Sequence, residues 1–272
     1  MMYSAEQGKW VERAARAGLT AKGVVYMIMG GLSAMGALGL GGSITGRSDA
    51  FQWIISLPMG RALLAIAAIG LVGHVIWRSI EAISDPEHLG NDLKGAIQRL
   101  GKAGSAIAYG AFAYYAGMLA VRGGQGGDEG EGSTRQFIVA KVLQQPGGNW
   151  IIGAVAIFFF GWGIHQLFRA ISGRYWKNVK ESSMTEVQRK TFKRIGVVGY
   201  LARGIVLGII GGLFLKAAST VDASEAKGTE GAFQFLQNTP LGPWLLAIVA
   251  FGLAAFGGYC IMLARYRSIR RP

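Results

Sequence analysis

Long uncharged apolar runs, each bounded by charge, constrain this chain more than any other feature. Residues 23–46 carry no charged side chain, and their apolar part runs from Val24 to about Leu40. A second run extends from about Met59 to Ile83 around the uncharged centre Ala62 to Trp77, and a third from Ala103 to Val121. The fourth lies between Lys141 and Arg169, centred on Ile151 to Leu167. The fifth spans about Ile195 to Ala218, and the sixth Leu241 to Leu263. A helix needs about 20 residues to cross the roughly 30 Å of bilayer hydrocarbon, and each run supplies that length. A glycine-rich soluble α/β domain would have to bury all of them. The expected fold class is therefore all-α: a polytopic helical membrane bundle of six transmembrane helices in a single membrane domain, residues 1–272.

Composition agrees. Only 16% of residues are charged, against about 25% in soluble domains. The 43 glycines come with 6 prolines and no G-X-Y period, which suits helices whose backbones approach closely in lipid. The first run is too long for a simple signal peptide and lacks a convincing cleavage site, so a retained helix is expected. The single cysteine, Cys260, allows no intrachain disulfide and no Cys-rich metal or redox site.

Charge sets an expected orientation. The N-terminus, the second and fourth connections and the C-terminus hold 21 Lys/Arg and 8 Asp/Glu, against 7 and 7 on the other side. The formal net charge of +13 thus falls on one side. That predicts a multi-pass protein of the cell (inner) membrane with both termini cytoplasmic. Attraction to anionic phospholipid accounts for the basic face without nucleic acid, for which no aromatic-and-basic motif is present. Arg61, Arg78, Arg203 and Lys216 are expected to snorkel toward headgroups.

The runs also repeat. A shift of 181 residues carries Arg13 and Gly18 onto Arg194 and Gly199, Lys22 and Gly23 onto Arg203 and Gly204, and Gly30 and Gly31 onto Gly211 and Gly212. On nearly the same shift, Ala50, Phe51 and Gln52 match Ala232, Phe233 and Gln234, and Gly70 matches Gly252. Pro58 and Gly60 recur as Pro240 and Gly242, and again as Pro146 and Gly148. A middle copy is more divergent: Arg99, Gly101, Gly104 and Gly117 match Arg13, Ala15, Gly18 and Gly31. Each copy is an apolar helix, an outer connection ending in Pro-x-Gly, and a returning helix. The stretches Phe51 to Leu57 and Phe233 to Leu236 suit either short interfacial helices or plain loop.

This pattern resembles the membrane family catalogued as domain of unknown function 1206. The recurring Arg-x-x-x-x-Gly followed by a basic-Gly pair carries the resemblance, at Arg13, Gly18, Lys22 and Gly23, and at Arg194, Gly199, Arg203 and Gly204. It covers about residues 12–83, 97–171 and 192–265 and implies three tandem hairpin repeats in a bacterial membrane, with no biochemical activity attached. The second copy departs from it, with Ala108 and Tyr109 at the basic-Gly position.

Candidate functional residues form one basic layer. His74 and Arg78 are four residues apart near the inner end of the second helix, and His165 and Arg169 repeat that spacing in the fourth. Each pair shares a helical face. Lys22 and Arg203 stand at comparable depth, whereas Phe256 and Cys260 replace the His/Arg pair in the third copy. Positive-inside anchoring is the plain reading of these residues. The sharper one is an anionic headgroup or phosphate-bearing solute held by Lys22, Arg78, Arg169 and Arg203, with His74 and His165 as donors. Gly204, Gly208 and Gly212 recur every fourth residue and form an expected helix-packing groove.

No resident metal or cofactor is expected. Haem between His74 and His165 satisfies ligand count alone, and Glu81 and Asp85 lie near the interface. The acidic, glycine-rich connection Gly123 to Gly132 lacks the Gly-Lys-Ser/Thr ending of a phosphate-binding loop. HExxH, GxSxG and a paired intramembrane carboxylate are missing, so an enzyme is the weakest reading. The leading expectation is a membrane interaction or anionic-lipid-binding module. The alternative is a small channel or transporter for an anionic or small polar solute, with a homo-oligomer able to place a path on its axis.

Overall fold

A computed structural model describes residues 5–41, 47–83, 93–123, 131–176, 179 and 184–266. The acidic residues 124–130 and the basic residues 267–272 lie outside the described residues, as does Asp85. The chain is a helical membrane bundle. Its long helices are α1 (Ala5–Ala37), α3 (Gly60–Ile83), α4 (Leu93–Arg122), α6 (Gly148–Ile171), α7 (Glu186–Thr220) and α9 (Gly242–Tyr266). Three short helices precede the returning members: α2 (Arg47–Ile55), α5 (Glu131–Leu143) and α8 (Thr229–Gln237). The stretches beginning at Phe51 and Phe233 are thus helical. α3, α4, α6, α7 and α9 are long and apolar enough to cross a membrane. α1 has the length, but its first half is polar and holds Lys9, Arg13 and Arg16, with Lys22 just past the midpoint.

The three connections before the returning helices share one turn. The Gly60, Gly148 and Gly242 amides donate to the carbonyls of Leu57, Gln145 and Thr239, at 2.8, 2.9 and 2.8 Å. A methyl at each glycine would collide with a carbonyl from the end of the preceding short helix, namely Ile54, Val142 or Gln237. Proline two residues earlier stops that helix, and glycine lets the next one start against it. Phe51 and Phe233, 1% and 0% exposed, press inward at this capped end. At the opposite, basic end, Thr185 and Gln188 make a reciprocal capping box that opens α7.

Packing follows a cyclic rule. The second long helix of each repeat packs on the first of the next: α3 on α4, α6 on α7, and α9 back on α1. Arginines reinforce two of these joints at the basic end. Arg99 donates to the Ala82 and Ile83 carbonyls at 2.7 and 3.0 Å. Arg16 donates to those of Ala264 and Arg265 at 3.1 and 3.0 Å. These are the last, unsatisfied carbonyls of α3 and α9, where cationic donors also meet the negative helix end.

Within a repeat the rule is broken once. α1 packs on α3 and α7 on α9, but among the described residues α4 and α6 share no extended interface. Neighbours therefore run α4, α3, α1, α9, α7, α6, an arc open between its first and last members. Glycine marks both closed crossings. A methyl at Gly18 would stand 2.7 Å from the His74 Cα, and one at Gly199 2.6 Å from the Phe256 Cα. One turn along, methyls at Gly70 and Gly252 would meet the Cβ atoms of Ala21 and Ala202 at 2.9 and 2.5 Å.

The expected Gly204, Gly208 and Gly212 groove needs one correction. A methyl at Gly204 would reach the Gly163 carbonyl at 3.1 Å, and one at Gly163 the Gly208 nitrogen at 3.2 Å, so these positions meet α6. A methyl at Gly208 or at Gly212 would meet nothing within 4 Å among the described residues, so Gly208 offers α6 only its backbone and Gly212 offers it nothing. Gly211, where a methyl would lie 3.1 Å from the Phe160 ring, takes its place. The helix turns 100° per residue, so a four-residue period drifts off a straight contact line and a three-residue step brings it back.

Candidate functional site

The middle of the arc holds two cations. Lys22 on α1 is 7% exposed, and its Nζ lies 5.0 Å from the Tyr109 ring centroid and 5.6 Å from that of Phe256. Arg203 on α7 is half-buried. Its Cζ lies 4.4 Å from the centroid of the same Phe256 ring and 5.7 Å from that of Tyr26. Arg203 therefore packs inward on aromatic rings instead of snorkelling. Among the described residues neither cation has a hydrogen-bond or ion-pair partner. Arg78 and Cys260 lie within electrostatic reach of Lys22.

The repeat explains why these two converge. Lys22 and Arg203 are equivalent positions one residue before Gly23 and Gly204, where α1 and α7 meet α9 and α6 backbone to backbone. A methyl at Gly23 would stand 2.7 Å from the Gly257 carbonyl. In the second copy Tyr109 occupies the glycine position, so an aromatic ring fills the joint between α4 and α3. That ring meets His74 edge-on, with centroids 4.7 Å apart.

The other layer residues go elsewhere. His74 is 1% exposed beneath Gly18 and Tyr109. Arg78 is paired: its Nη1 donates to Glu81 at 2.8 Å, and the Glu81 side chain is fully buried. That corrects the interfacial placement of Glu81, since α3 continues to Ile83 and carries the carboxylate into the bundle. Arg169 lies over the Tyr200 ring at 4.9 Å. His165 is exposed on α6, apart from buried His74, and the fold does not offer the two as a ligand pair. Among the described residues no group of three or more metal-binding side chains occurs.

Sequence reasoning missed the rings. Tyr26, Tyr109 and Phe256 form the walls around the two cations; Tyr109 and Phe256 carried a signal, as the residues replacing glycine in the second copy and histidine in the third, and Tyr26 carried none. Space beside Lys22 is small. The cavity lined by Lys22, Tyr26, Phe51, Leu71, Tyr109 and Phe112 holds about 10 Å³, about one water. A wider open groove of about 560 Å³ lies at the basic end, between Arg16 and Thr20 of α1, Gln188 of α7 and the end of α9.

The threefold repeat of the sequence is matched by one family. The family model Domain of Unknown Function (DUF1206) matches residues 17–85, 100–173 and 198–267, one match per hairpin. The chain belongs to this family. A chain from Bacillus subtilis (strain 168), named Uncharacterized protein YxxB, is similar, with 34% identity over 264 residues covering 97% of this chain and 94% of the relative. No solved structure matches. In DUF1206 terms, Lys22 and Arg203 are the basic members of the basic-Gly pairs in the first and third matched segments, and Tyr109 interrupts the second.

Proposed function

We propose that this DUF1206 protein binds the anionic, phosphate-bearing headgroup of a membrane lipid at Lys22 and Arg203. The reading rests on one observation: a buried lysine and a half-buried arginine share one aromatic ring and, among the described residues, have no carboxylate partner. Withdrawing a cation from water costs several kcal/mol. A cation–π contact returns only about 0.5–2 kcal/mol. An anion reaching both cations would offset the difference, and arginine offers a phosphate paired donors. Arg78 adds positive potential while its own charge is met by Glu81.

A conduit is the weaker reading. Phe51 and Phe233 fill the capped end, and the space beside Lys22 is water-sized. The basic end is assigned to the cytoplasm from its excess of Lys and Arg. In a Cys260→Ala background, an impermeant maleimide should label Ser224→Cys in intact cells and leave Ser172→Cys unlabelled.

The decisive experiment replaces both cations with methionine. Wild type should gain thermal stability when phosphatidylglycerol is added to a zwitterionic detergent, because a ligand bound only by the folded state stabilises it. Lys22→Met with Arg203→Met should lose that gain and, freed of two poorly compensated charges, start from a higher midpoint. An equal phosphatidylglycerol response in both proteins would sink the assignment.

A further inference from the structure

The divergent second repeat keeps the glycines of a closed hairpin and leaves them uncovered. Gly104 is the counterpart of Gly18 and Gly199. Gly161, four residues before His165, is the counterpart of Gly70 before His74 and Gly252 before Phe256. In the first and third repeats all four glycines are covered by the opposing helix, and His74 is 1% exposed at the crossing. In the second, a methyl at Gly104 or Gly161 would meet nothing within 4 Å among the described residues, and His165 is exposed. Ile107, the counterpart of Ala21 under Gly70, is 77% exposed. The open interval of the arc therefore carries, on both helices, the glycines that make the crossings of the other two repeats, without a crossing.

One of the two helices that flank this interval touches a cation. Lys22 Nζ lies over Tyr109, a residue of α4, and Tyr109 and Phe112 of α4 line the small cavity beside it. α6 contributes Arg169, which sits over Tyr200 of α7. The capped end is filled by Phe51 and Phe233. A headgroup attached to acyl chains cannot leave the plane of the membrane at low cost, since each buried CH₂ carries about 0.8 kcal/mol. An intramembrane opening is the path that keeps those chains in hydrocarbon.

We propose that the gap between α4 and α6 is a lateral entrance. Through it the phosphate of an anionic glycerophospholipid reaches Lys22 and Arg203, while the acyl chains lie along the exposed faces around Gly104 and Gly161. This rests on the headgroup reading given under Proposed function. Because the cavity beside Lys22 is water-sized, the headgroup enters only when the Tyr109 ring swings from beneath Lys22. Among the described residues α4 packs on α3 and α2 and shares no extended interface with α6, so no helix blocks the ring on the side of the gap.

The test fills the entrance without disturbing the fold. Gly104→Leu with Gly161→Leu places side chains in open space, so the unfolding midpoint should match wild type. Native mass spectrometry after equilibration with mixed phosphatidylglycerol and phosphatidylethanolamine should show phosphatidylglycerol retention falling at least tenfold, with phosphatidylethanolamine adducts unchanged. A benzophenone side chain at Ile107 should cross-link to phosphatidylglycerol in wild type and not in the Lys22→Met, Arg203→Met protein. Unchanged retention in the filled variant, with loss in the methionine variant, overturns the entrance and leaves the headgroup site standing. Unchanged retention in both overturns the two together. A benzophenone adduct of a second protein chain, or a fall in oligomer mass on filling, assigns the face to another copy and overturns the entrance. So does equal competition by soluble glycerol 3-phosphate in wild type and filled variant, since the headgroup would then arrive from the basic end.

Discussion

The first and third hairpins cross at glycines, whereas the second keeps the same glycines and stands open. The difference lies in what opposes each helix. α1 and α7 offer a glycine face to both neighbours, one for the partner in the hairpin and one for the preceding repeat. α4 has Tyr109 where that second face needs glycine, so its joint with α3 is made by a ring, and α6 is drawn to α7 through Gly163 and Gly204. Sequence symmetry thus specifies the cyclic joints in all three repeats and the hairpin crossings in only two.

The sharpest way to break this comparison is to enlarge equivalent glycines. Gly18→Leu drives a side chain into the His74 backbone and should cost about 3 kcal/mol or more. Gly104→Leu should cost less than about 0.5 kcal/mol. Thermal or denaturant unfolding in detergent checks both, and similar losses would mean that the second hairpin closes as the others do.

A smaller effect probes the joints that all repeats keep. Arg99→Ala removes charged donors from the last α3 carbonyls and should cost about 1–3 kcal/mol. Arg16→Ala should behave alike at α9. A loss at one site and none at the other would dismiss the shared rule.

The ring that replaces glycine is tested next. A double-mutant cycle between Lys22→Met and Tyr109→Leu should give a coupling of about 0.5–2 kcal/mol. Zero coupling would show that the aromatic wall gives the lysine no stabilisation.

The smallest effect concerns the capped end, where the second and third repeats do touch. Arg135 of α5 donates to Glu230 of α8 at 2.8 Å, and the Glu230 carboxylate also accepts from the Gly228 amide at 3.1 Å. Burial pushes this carboxyl up, but the Arg135 charge and these hydrogen bonds outweigh it and hold it below its usual value. Its contribution is therefore present above the ordinary glutamate value of about 4.5 and is lost as pH falls through the lowered folded value. Amide exchange in α8 should quicken below about pH 4 in wild type, and Arg135→Ala should weaken that dependence. An identical acid response in the variant would remove the contact from consideration.

Much of this was legible in sequence. Run lengths gave the long helices, and the Pro-x-Gly recurrence gave three like turns whose glycines a carbonyl makes obligatory. Neighbour choice was not legible, because in lipid a protein-facing Leu and a lipid-facing Leu have the same hydropathy. Ile107 and Leu119 read alike, though one is 77% and the other 1% exposed. Glu81 was missed for a related reason: its burial depends on Arg78 one turn earlier, and a pair within one helix has no hydropathy signal of its own. The basic layer was half legible. Equivalent repeat positions brought Lys22 and Arg203 together, but the face on which His165 falls depended on a hairpin that does not close.

The joint between α9 and α1 has a consequence for how the molecule is made. It unites helices separated by more than 200 residues of chain. At about 5–20 residues per second, roughly 10–50 s pass between their appearances at the ribosome. Throughout that interval Gly23 and Gly30 of α1 face lipid or a temporary companion. Maturation therefore finishes with its first helix, and loss of the last one should be felt at the opposite end of the chain before anywhere else.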